Sequence, residues 1–340
     1  MHRVLVKGAG VAGLTVAHEL AARGASVTVA ENRNQIGGNA SWLAGGMLAP
    51  WCERESAEEA VVTLGKVSAD WWERTLPGLV TRAGTLVVAH ARDAFELARF
   101  AARTRNCESV DQKALAALEP DLAGRFRQGL FFAGEAHLDP RRALEALVDK
   151  LRSMGVDFLF GAAKVAPSSF DQVIDCTGMA RADDDLRGVR GEMLILHTHE
   201  ISLARPVRLL HPLHPIYVVP RADHHFMVGA TMIESDHGGP ITARSLMELL
   251  NAAYALHPAF GEAEIVETGV GVRPAYPDNL PRVKRRKDGA ITINGLYRHG
   301  FLLSPAMAEQ AARLLFNSSA NNSSAGLESE NEADRQWRSA

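Results

Sequence analysis

Cysteine is scarce in this chain, and what the sequence lacks argues against several structural and functional classes. Its three cysteines, Cys52, Cys107 and Cys176, contain no C-x-x-C pair, which argues against a disulfide framework and a zinc site and favours a reducing cytoplasm. No apolar run reaches the roughly 18 residues needed to cross a bilayer. Thirty-seven Lys and Arg nearly balance forty Asp and Glu, giving a net charge of −3. We therefore expect neither a nucleic acid nor a membrane partner.

The first residues carry the most informative pattern that is present. A short apolar strand, Val4 to Val6, precedes Gly8, Gly10 and Gly13, which fit G-x-G-x-x-G at the start of an apolar helix. In a dinucleotide-binding βαβ unit the first glycine permits a tight turn and the second lets a pyrophosphate approach the backbone. The third lets helix and strand pack closely. The helix N-terminus adds N–H groups and the positive end of the helix dipole, both suited to phosphate.

An acidic residue completes this unit. Glu31 ends a second apolar strand about 18 positions after Gly13, close to the roughly 20 that such a unit requires. Its carboxylate can accept hydrogen bonds from ribose hydroxyls and disfavours a 2′-phosphate, so FAD or NAD fits better than NADP. The alternative is a glycine-rich helix turn without a ligand. The order of strand, turn, helix, strand and acid argues against it.

The rest of the chain alternates between two patterns. Residues 32–50 are rich in small side chains, which suits either backbone lying against a cofactor or a flexible surface loop. Helices are predicted at Glu58–Leu76, Ala94–Arg103, Gln112–Leu118, from Pro140 with Asp139 as N-cap, at Leu246–Leu256, and from Ser304-Pro305 onward. Strands are predicted at Gly84–His90, Gly129–Ala133, Val156–Phe160, Gln172–Gly178, Glu192–His197, Ile216–Pro220, His225–Thr231, Val266–Gly271 and Ile291–Asn294.

Four other features have competing interpretations. Seven histidines between His197 and His237 lack a tight His-carboxylate cluster, so ordinary strand and turn histidines are favoured over a metal site. The basic run Arg282–Lys287 precedes Asp288-Gly289 and predicts a hairpin rather than a nucleic-acid patch. Arg273 and Arg298 lie beside stiff or helix-starting segments, where a guanidinium suits bidentate capture of a carboxylate. A structural ion pair is the alternative for each.

Five segments resemble the D-amino-acid oxidase family, in the same order along about residues 1–316. They are Ser41–Pro50, Tyr217–Arg221, Val228–Met232, Gly271–Pro274 with Pro277-Asp278, and Tyr297–Pro305. The resemblance implies FAD as cofactor. Some relatives link the flavin to a cysteine near the position of Arg273, but no cysteine follows Cys176, so the FAD is expected to be non-covalent.

The resemblance also implies residue roles. Arg273 looks like the arginine that binds the substrate carboxylate, and Tyr217, Met232 and Arg298 match positions that line the active site. The matching cofactor contacts are Gly8, Gly10, Val11, Ala12, Gly13, Glu31, Ser41, Gly45, Gly46, Met47 (which also matches the active-site lining), Val165, Gly178, His299, Gly300, Phe301, Leu302 and Leu303.

The implied fold is α/β, with a doubly wound, Rossmann-like FAD domain interleaved with a mostly antiparallel substrate domain. We expect residues 1–78, 138–182 and 266–316 in the FAD domain and residues 79–137 and 183–265 in the substrate domain. Residues 317–340 are polar and predict a disordered tail.

The implied reaction is FAD-dependent oxidation of glycine or a similar small amine by O₂, through an imine, to glyoxylate, ammonia and hydrogen peroxide. The matching relatives serve thiamine biosynthesis. Three alternatives stay open: a dehydrogenase that uses another electron acceptor, an oxidase of sarcosine, proline or a D-amino acid, and a catalytically idle flavin-binding protein. The sequence does not decide whether the chain forms a homo-oligomer.

Overall fold

The computed structural model describes residues 2–161, 165–180 and 185–321. Its helices are α1 Val11–Ala22, α2 Pro50–Glu53, α3 Glu59–Gly65, α4 Ser68–Thr75, α5 Ala94–Arg103, α6 Gln112–Leu118, α7 Pro140–Ser153, α8 Ala243–Leu256 and α9 Gly300–Asn321. Its strands are β1 Arg3–Lys7, β2 Ser26–Glu31, β3 Met47–Leu48, β4 Thr85–Val88, β5 Glu108–Asp111, β6 Gln128–Phe132, β7 Ala136–His137, β8 Asp157–Phe160, β9 Gln172–Asp175, β10 Arg187–His197, β11 Val207–Leu209, β12 Ile216–Pro220, β13 His225–Gly229, β14 Ile233–Glu234, β15 Glu264–Ala275, β16 Arg282–Arg285 and β17 Ile291–Asn294.

The first sheet has the strand order β16-β17-β9-β1-β2-β8 in the described residues. Its strands β17, β9, β1, β2 and β8 run parallel, and β16 pairs antiparallel with β17. The side chains of Val4, Leu5 and Val6 are fully buried, as expected for an inner parallel strand covered on both faces. The β16–β17 pair confirms the hairpin predicted at Asp288-Gly289.

The second sheet is mostly antiparallel. Its order is β14-β10-β13-β12-β11-β4-β6-β5, and β15 pairs with the other side of β10. Helix α8 packs on this sheet through buried Leu249, Ala253 and Leu256. The two sheets confirm the predicted combination of a doubly wound parallel sheet and an antiparallel sheet.

Strand β15 is longer than predicted and lies in the second sheet. It pairs with β10 from His197↔Glu264 to Arg187↔Ala275, whereas the sequence predicted a strand only to Gly271 and placed residues from 266 in the FAD domain. Pro274 does not end the strand because β15 is an edge strand in the described sheet, where a missing N–H is tolerated. Arg273 is therefore held on a strand. The predicted domain boundaries themselves stay predictions.

The last helix begins at Gly300, four residues before the predicted start, and contains Pro305. A proline inside a helix leaves the carbonyl four residues earlier without its donor. That carbonyl belongs to Phe301, and it accepts hydrogen bonds from Trp72 Nε1 at 2.9 Å and Ser68 Oγ at 3.0 Å. Both donors lie on α4. They replace the missing N–H of Pro305, so the helix can begin at Gly300 and still contain the proline.

Two further boundaries differ from prediction. The helix predicted at Glu58–Leu76 is two helices, α3 and α4, which meet α9 separately. The tail predicted from residue 317 is helical to Asn321, because extending an existing helix costs far less than starting one. Residues 322–340 lie outside the described residues. No helix in the described ranges is both long enough and apolar enough to cross a membrane.

Candidate active site and cofactor cleft

A cleft of about 730 Å³ lies between the two sheets, at the carboxyl ends of β1, β2 and β9. This is the usual ligand position in doubly wound sheets, and the volume falls within the roughly 300–1,000 Å³ typical of ligand and cofactor pockets. Most of the residues predicted to form the site line this cleft: Gly8, Gly10, Val11, Ala12, Glu31, Ser41, Gly45, Val165, Tyr217, Gly178, Arg273, Arg298, Gly300 and Phe301.

The glycines of the first loop have the geometry that the motif predicts. Gly8 has φ +96°, and a Cβ there would lie 2.7 Å from the Cys176 carbonyl oxygen. A Cβ on Gly13 would lie 1.8 Å from the Gly8 carbonyl oxygen, so Gly13 allows the helix to pack against the turn. At Gly10 a Cβ would fill space beside Ser41 Oγ, 3.2 Å away. The loop thus forms a cradle that fits the diphosphate of a dinucleotide.

Glu31 and Ser41 hold this cradle in shape. The Glu31 carboxylate accepts hydrogen bonds from the Ala9 N–H at 2.9 Å and the Arg33 N–H at 3.1 Å. Ser41 Oγ accepts the Val11 N–H, in the first turn of α1, at 3.1 Å. Glu31 lies at the end of β2 and still borders the cleft. Its carboxylate is therefore placed both to order the loop and to meet a ribose.

Seven of the predicted site residues do not line the cleft. These are Gly13, Gly46, Met47, Met232, His299, Leu302 and Leu303. Gly13 and Gly46 serve close packing instead, since a Cβ on Gly46 would lie 2.2 Å from the Leu138 carbonyl oxygen. Met47 pairs with His137 in a two-stranded sheet. Leu302 and Leu303 point into the core, where both are buried.

Arg273 is a half-buried guanidinium on the wall of the cleft. It lies across Gly191, where a Cβ would come within 2.1 Å of its Cζ, and its Nη1 donates to the Thr231 carbonyl at 3.1 Å. Burial lowers the pKa of Arg273, and the phenols of Tyr217 and Tyr297 oppose that shift. No Asp or Glu among the described residues forms an ion pair with Arg273. A partly desolvated cation of this kind is suited to an anionic ligand.

Two tyrosines accompany Arg273. Tyr217, on β12, packs against Gly45, where a Cβ would lie 2.9 Å from its ring. Tyr297 adopts φ +49°, an uncommon value for a residue with a side chain, and its N–H donates to the Pro274 carbonyl at 2.9 Å. The sequence analysis did not single out Tyr297 or Gly191. Tyr297 lies next to Arg298 in a matched segment, and only Arg298 was named there as a candidate site residue.

Arg298 borders the cleft but is already paired. Its Nη2 lies 2.8 Å from Glu53 Oε2 and donates to Ser56 Oγ at 2.6 Å. Met232 is 54% exposed, and its sulfur accepts from the Tyr297 hydroxyl at 3.4 Å and from Arg298 Nη1 at 3.6 Å. Met232 thus does not border the cleft as described, and its place in the active site stays a prediction.

Glu53 is the centre of a buried charge cluster that the sequence did not reveal. It contacts Arg208, Arg298 and His299 Nδ1, the last at 3.3 Å. Burial alone would raise the pKa of Glu53, but Arg298, Arg208 and His299 hold it well below its usual range. Burial lowers the pKa of His299 to about 4, and the nearby arginines add to this effect. At neutral pH the cluster therefore contains a charged Glu53, two arginines and a neutral His299.

The histidine-rich stretch forms ring contacts rather than a ligand set. The His197 ring meets the His199 ring edge-on and the His225 ring at a tilt, with ring centroids 5.0 Å and 4.8 Å apart. In the described ranges, no group of three or more His, Cys, Asp or Glu side chains is arranged to hold a metal ion.

Residues 3–314 match the family model of the DAO family, the FAD-dependent oxidoreductases. The chain belongs to this family. A Rhizobium etli protein named as the thiamine biosynthesis oxidoreductase ThiO is 64% identical over 315 residues, covering 92% of this chain and 96% of that protein. The glycine oxidase of Pseudomonas aeruginosa is 26% identical over 349 residues, covering 92% of this chain and 94% of that enzyme.

Solved structures of the family share the fold. The glycine oxidase of Geobacillus kaustophilus superimposes with a TM-score of 0.77 at 23% identity, covering 93% of this chain and 95% of that chain. The family assignment and this likeness confirm the cofactor type and the fold that the sequence predicted.

Proposed function

We propose that this DAO-family protein is a glycine oxidase that serves thiamine biosynthesis in the cytoplasm. The substrate is glycine or a similarly small amino acid, and the products are glyoxylate and ammonia, formed through an imine, with O₂ reduced to hydrogen peroxide. The observation that carries the proposal is Arg273, a half-buried guanidinium without a carboxylate partner among the described residues, which faces the cleft beside Tyr217 and Tyr297. The named relatives supply the choice of glycine.

The chain would hold FAD along the cleft. Gly8, Gly10 and the start of α1 suit the diphosphate, Glu31 suits the adenosine ribose, and Ser41 and Gly45 border the same space. When bound, FAD supplies the electron acceptor for oxidation of the substrate C–H bond. The predicted contacts at Val165, Gly178, Gly300 and Phe301 are part of this proposal.

Arg273 binds and orients the substrate. Its planar fork can hold both carboxylate oxygens, which fixes the direction of the neighbouring carbon and amine. Tyr217 and Tyr297 line the same cleft as Arg273.

The start of α9 supplies a favourable field for negative charge. The N–H groups of its first turn have no partners within the helix, and Gly300 and Phe301 border the cleft. With the helix dipole they stabilise negative charge that develops nearby. Glu53 balances one of the two arginines below this helix end, and His299 stays neutral at pH 7.

Substrate turnover tests the proposal. The purified FAD-loaded protein should consume O₂ and release peroxide with glycine, and its flavin should bleach when glycine is added without O₂. A panel with sarcosine, proline and D-alanine compares the alternative substrates. Anaerobic bleaching without peroxide formation in air would indicate a dehydrogenase, and no bleaching by any of the four amino acids would contradict the proposal.

Arg273→Ala tests the role of the arginine. We expect kcat/KM for glycine to fall more than 100-fold, which corresponds to a loss of about 3 kcal/mol of transition-state stabilisation. FAD content should stay near normal. Arg273→Lys should recover part of the loss, because a point charge does not reproduce the fork. An alkylamine without a carboxylate should be turned over equally poorly by wild type and variants. Equal losses for glycine and the alkylamine would show that Arg273 is structural.

A further inference from the structure

A buried ion pair lies on β10 next to the residue that supports Arg273. Arg190 and Glu192 flank Gly191, and these two residues are 3% and 0% exposed. Glu192 Oε1 accepts from Arg190 Nε at 3.0 Å and from Nη2 at 2.7 Å. Residues 190 and 192 point to the opposite face of the strand from residue 191. The pair therefore lies on the face of β10 opposite to the one on which the Arg273 guanidinium rests.

Arg190 also fixes a loop at the cleft. Its Nη1 donates to the carbonyls of His237 at 2.6 Å and Gly239 at 2.9 Å, and its Nη2 donates to the Pro240 carbonyl at 2.6 Å. With the bonds to Glu192, all five donors of the guanidinium are used. Gly238, inside this loop, lines the cleft. The ion pair is thus anchored and has little freedom to move.

Three hydrogen bonds join Glu192 to Thr231. The Thr231 hydroxyl donates to Glu192 Oε2 at 3.0 Å and accepts the Glu192 N–H at 2.9 Å. The Thr231 N–H donates to the Glu192 carbonyl at 3.2 Å. Burial alone would raise the pKa of Glu192, but hydrogen bonds from Ser245, Arg190 and Thr231 hold it below its usual range. Glu192 therefore stays charged and keeps accepting these bonds.

Thr231 in turn contacts Arg273. The Thr231 carbonyl accepts the hydrogen bond from Arg273 Nη1 at 3.1 Å, while the face of the guanidinium rests on Gly191. We propose that Glu192 is a positioning residue for Arg273, acting through Thr231. The inference rests on the proposed function, in which Arg273 binds the substrate carboxylate. One contact to Thr231 and one to Gly191 define the plane of the fork, and its remaining donors are left for the ligand.

Acetate binding to the FAD-loaded protein measures this positioning without turnover. Thr231→Val removes both hydroxyl contacts and keeps the carbonyl and the volume. Because a displaced guanidinium loses well-aligned, charge-assisted hydrogen bonds to a carboxylate, we expect the Kd for acetate, followed by the change in flavin absorption, to rise about 10-fold to 100-fold. The KM for glycine should rise with it, and FAD content should not change.

Two variants control the experiment. Thr231→Ser retains the hydroxyl and should bind acetate within about twofold of wild type. Glu119→Gln alters another buried pair, in which Glu119 is 1% exposed and accepts from Arg205 Nε at 2.8 Å. Neither Glu119 nor Arg205 lines the cleft, so this variant should leave acetate binding unchanged.

The outcomes separate the inference from the function beneath it. If Arg273→Ala weakens acetate binding and neither Thr231→Val nor Glu192→Gln does, the positioning role is wrong and the role of Arg273 stands. If Arg273→Ala binds acetate as wild type does, the proposed carboxylate site itself is wrong. Equal weakening in Glu119→Gln and Thr231→Val would attribute the effect to general loosening of the sheet and overturn the inference.

Discussion

Gly191→Ala should damage substrate binding far more than folding. A Cβ at this position would lie 2.1 Å from Cζ and Nη2 of Arg273 and 2.2 Å from Nη1. Ordinary contact between such atoms needs about 3.5 Å, so the guanidinium has to move by roughly 1.4 Å. The obstructing atoms are the end of a long side chain, which can rotate away at small cost to stability. The new position, however, removes the fork from its seat.

The size of the effect follows from the contacts that are lost. A displacement of this size exceeds the tolerance of a hydrogen bond, so Arg273 loses both the Thr231 carbonyl and its bidentate approach to a carboxylate. Loss of one partner of a buried charged pair costs about 2–4 kcal/mol, which is about 30-fold to 1,000-fold in kcat/KM. We expect the loss to appear with glycine and to be absent with an alkylamine that has no carboxylate.

Steady-state kinetics and thermal unfolding together decide this prediction. Gly134→Ala is the matched control, because Gly134 does not line the cleft and a Cβ there makes only an ordinary contact with Trp51, at 3.8 Å. It should keep wild-type kinetics. Gly191→Ala should unfold within a few degrees of wild type with normal FAD content. Wild-type kcat/KM for glycine in Gly191→Ala would refute the reasoning, since the observed seat of Arg273 leaves no room for a methyl group.

The remaining predictions concern the cofactor and pH. Glu31→Ala should weaken FAD binding by about 1–3 kcal/mol, because the charge-assisted acceptor and its hold on the Ala9 N–H are lost; FAD titration of the apoprotein measures this, and unchanged affinity would remove Glu31 from the site. Burial raises the pKa of Glu135 to about 6, so the folded state binds the proton more tightly and deprotonation costs stability as pH rises. Glu135→Gln should therefore raise the free energy of unfolding by about 1–2 kcal/mol at pH 8 and by less at pH 5, as urea unfolding would show; an equal gain at both values would contradict this. The pKa of His299, about 4 in the folded state, lies below its unfolded value, so stability is lost as pH falls from about 6.5 toward 4. His299→Asn should remove about 2 kcal/mol of the loss between pH 7 and pH 5, and an unchanged acid dependence would place its origin elsewhere.

Elements bounded by local signals were predicted well. The observed bounds of α6, β12 and β17 are those predicted, because turn residues frame each apolar run. Asp139 caps α7 as predicted, accepting the Arg141 N–H at 2.8 Å with Pro140 in the first turn. The three glycines of the first loop likewise depend on conformations that their own sequence spacing encodes. In each case the determining contacts lie within a few residues.

Features set by distant contacts were not predictable in this way. The start of α9 depends on hydrogen bonds from Trp72 and Ser68. The sequence around Pro305 does not indicate these contacts. Gly191 is one of many glycines, and only the guanidinium of Arg273 lying on it shows why a side chain is excluded there. Met232 was placed in the site by resemblance. Its exposure depends on how Tyr297 and Arg298 turn, and a positive φ at Tyr297 has no reliable sequence signature.

The two late arginines show most clearly what the structure adds. From their neighbouring residues alone, Arg273 and Arg298 were comparable candidates for a carboxylate, and the family resemblance favoured Arg273. Arg298 has Glu53 at 2.8 Å, and that carboxylate would have to be released before Arg298 could serve a ligand fully. Arg273 is half-buried, and its neighbours in the described part of the chain are the Thr231 carbonyl, two tyrosines and a second cation, Arg298. A buried charge that lacks a protein counter-ion is costly unless a ligand supplies one. The cost falls on Arg273, so the gain from a substrate carboxylate is greatest there.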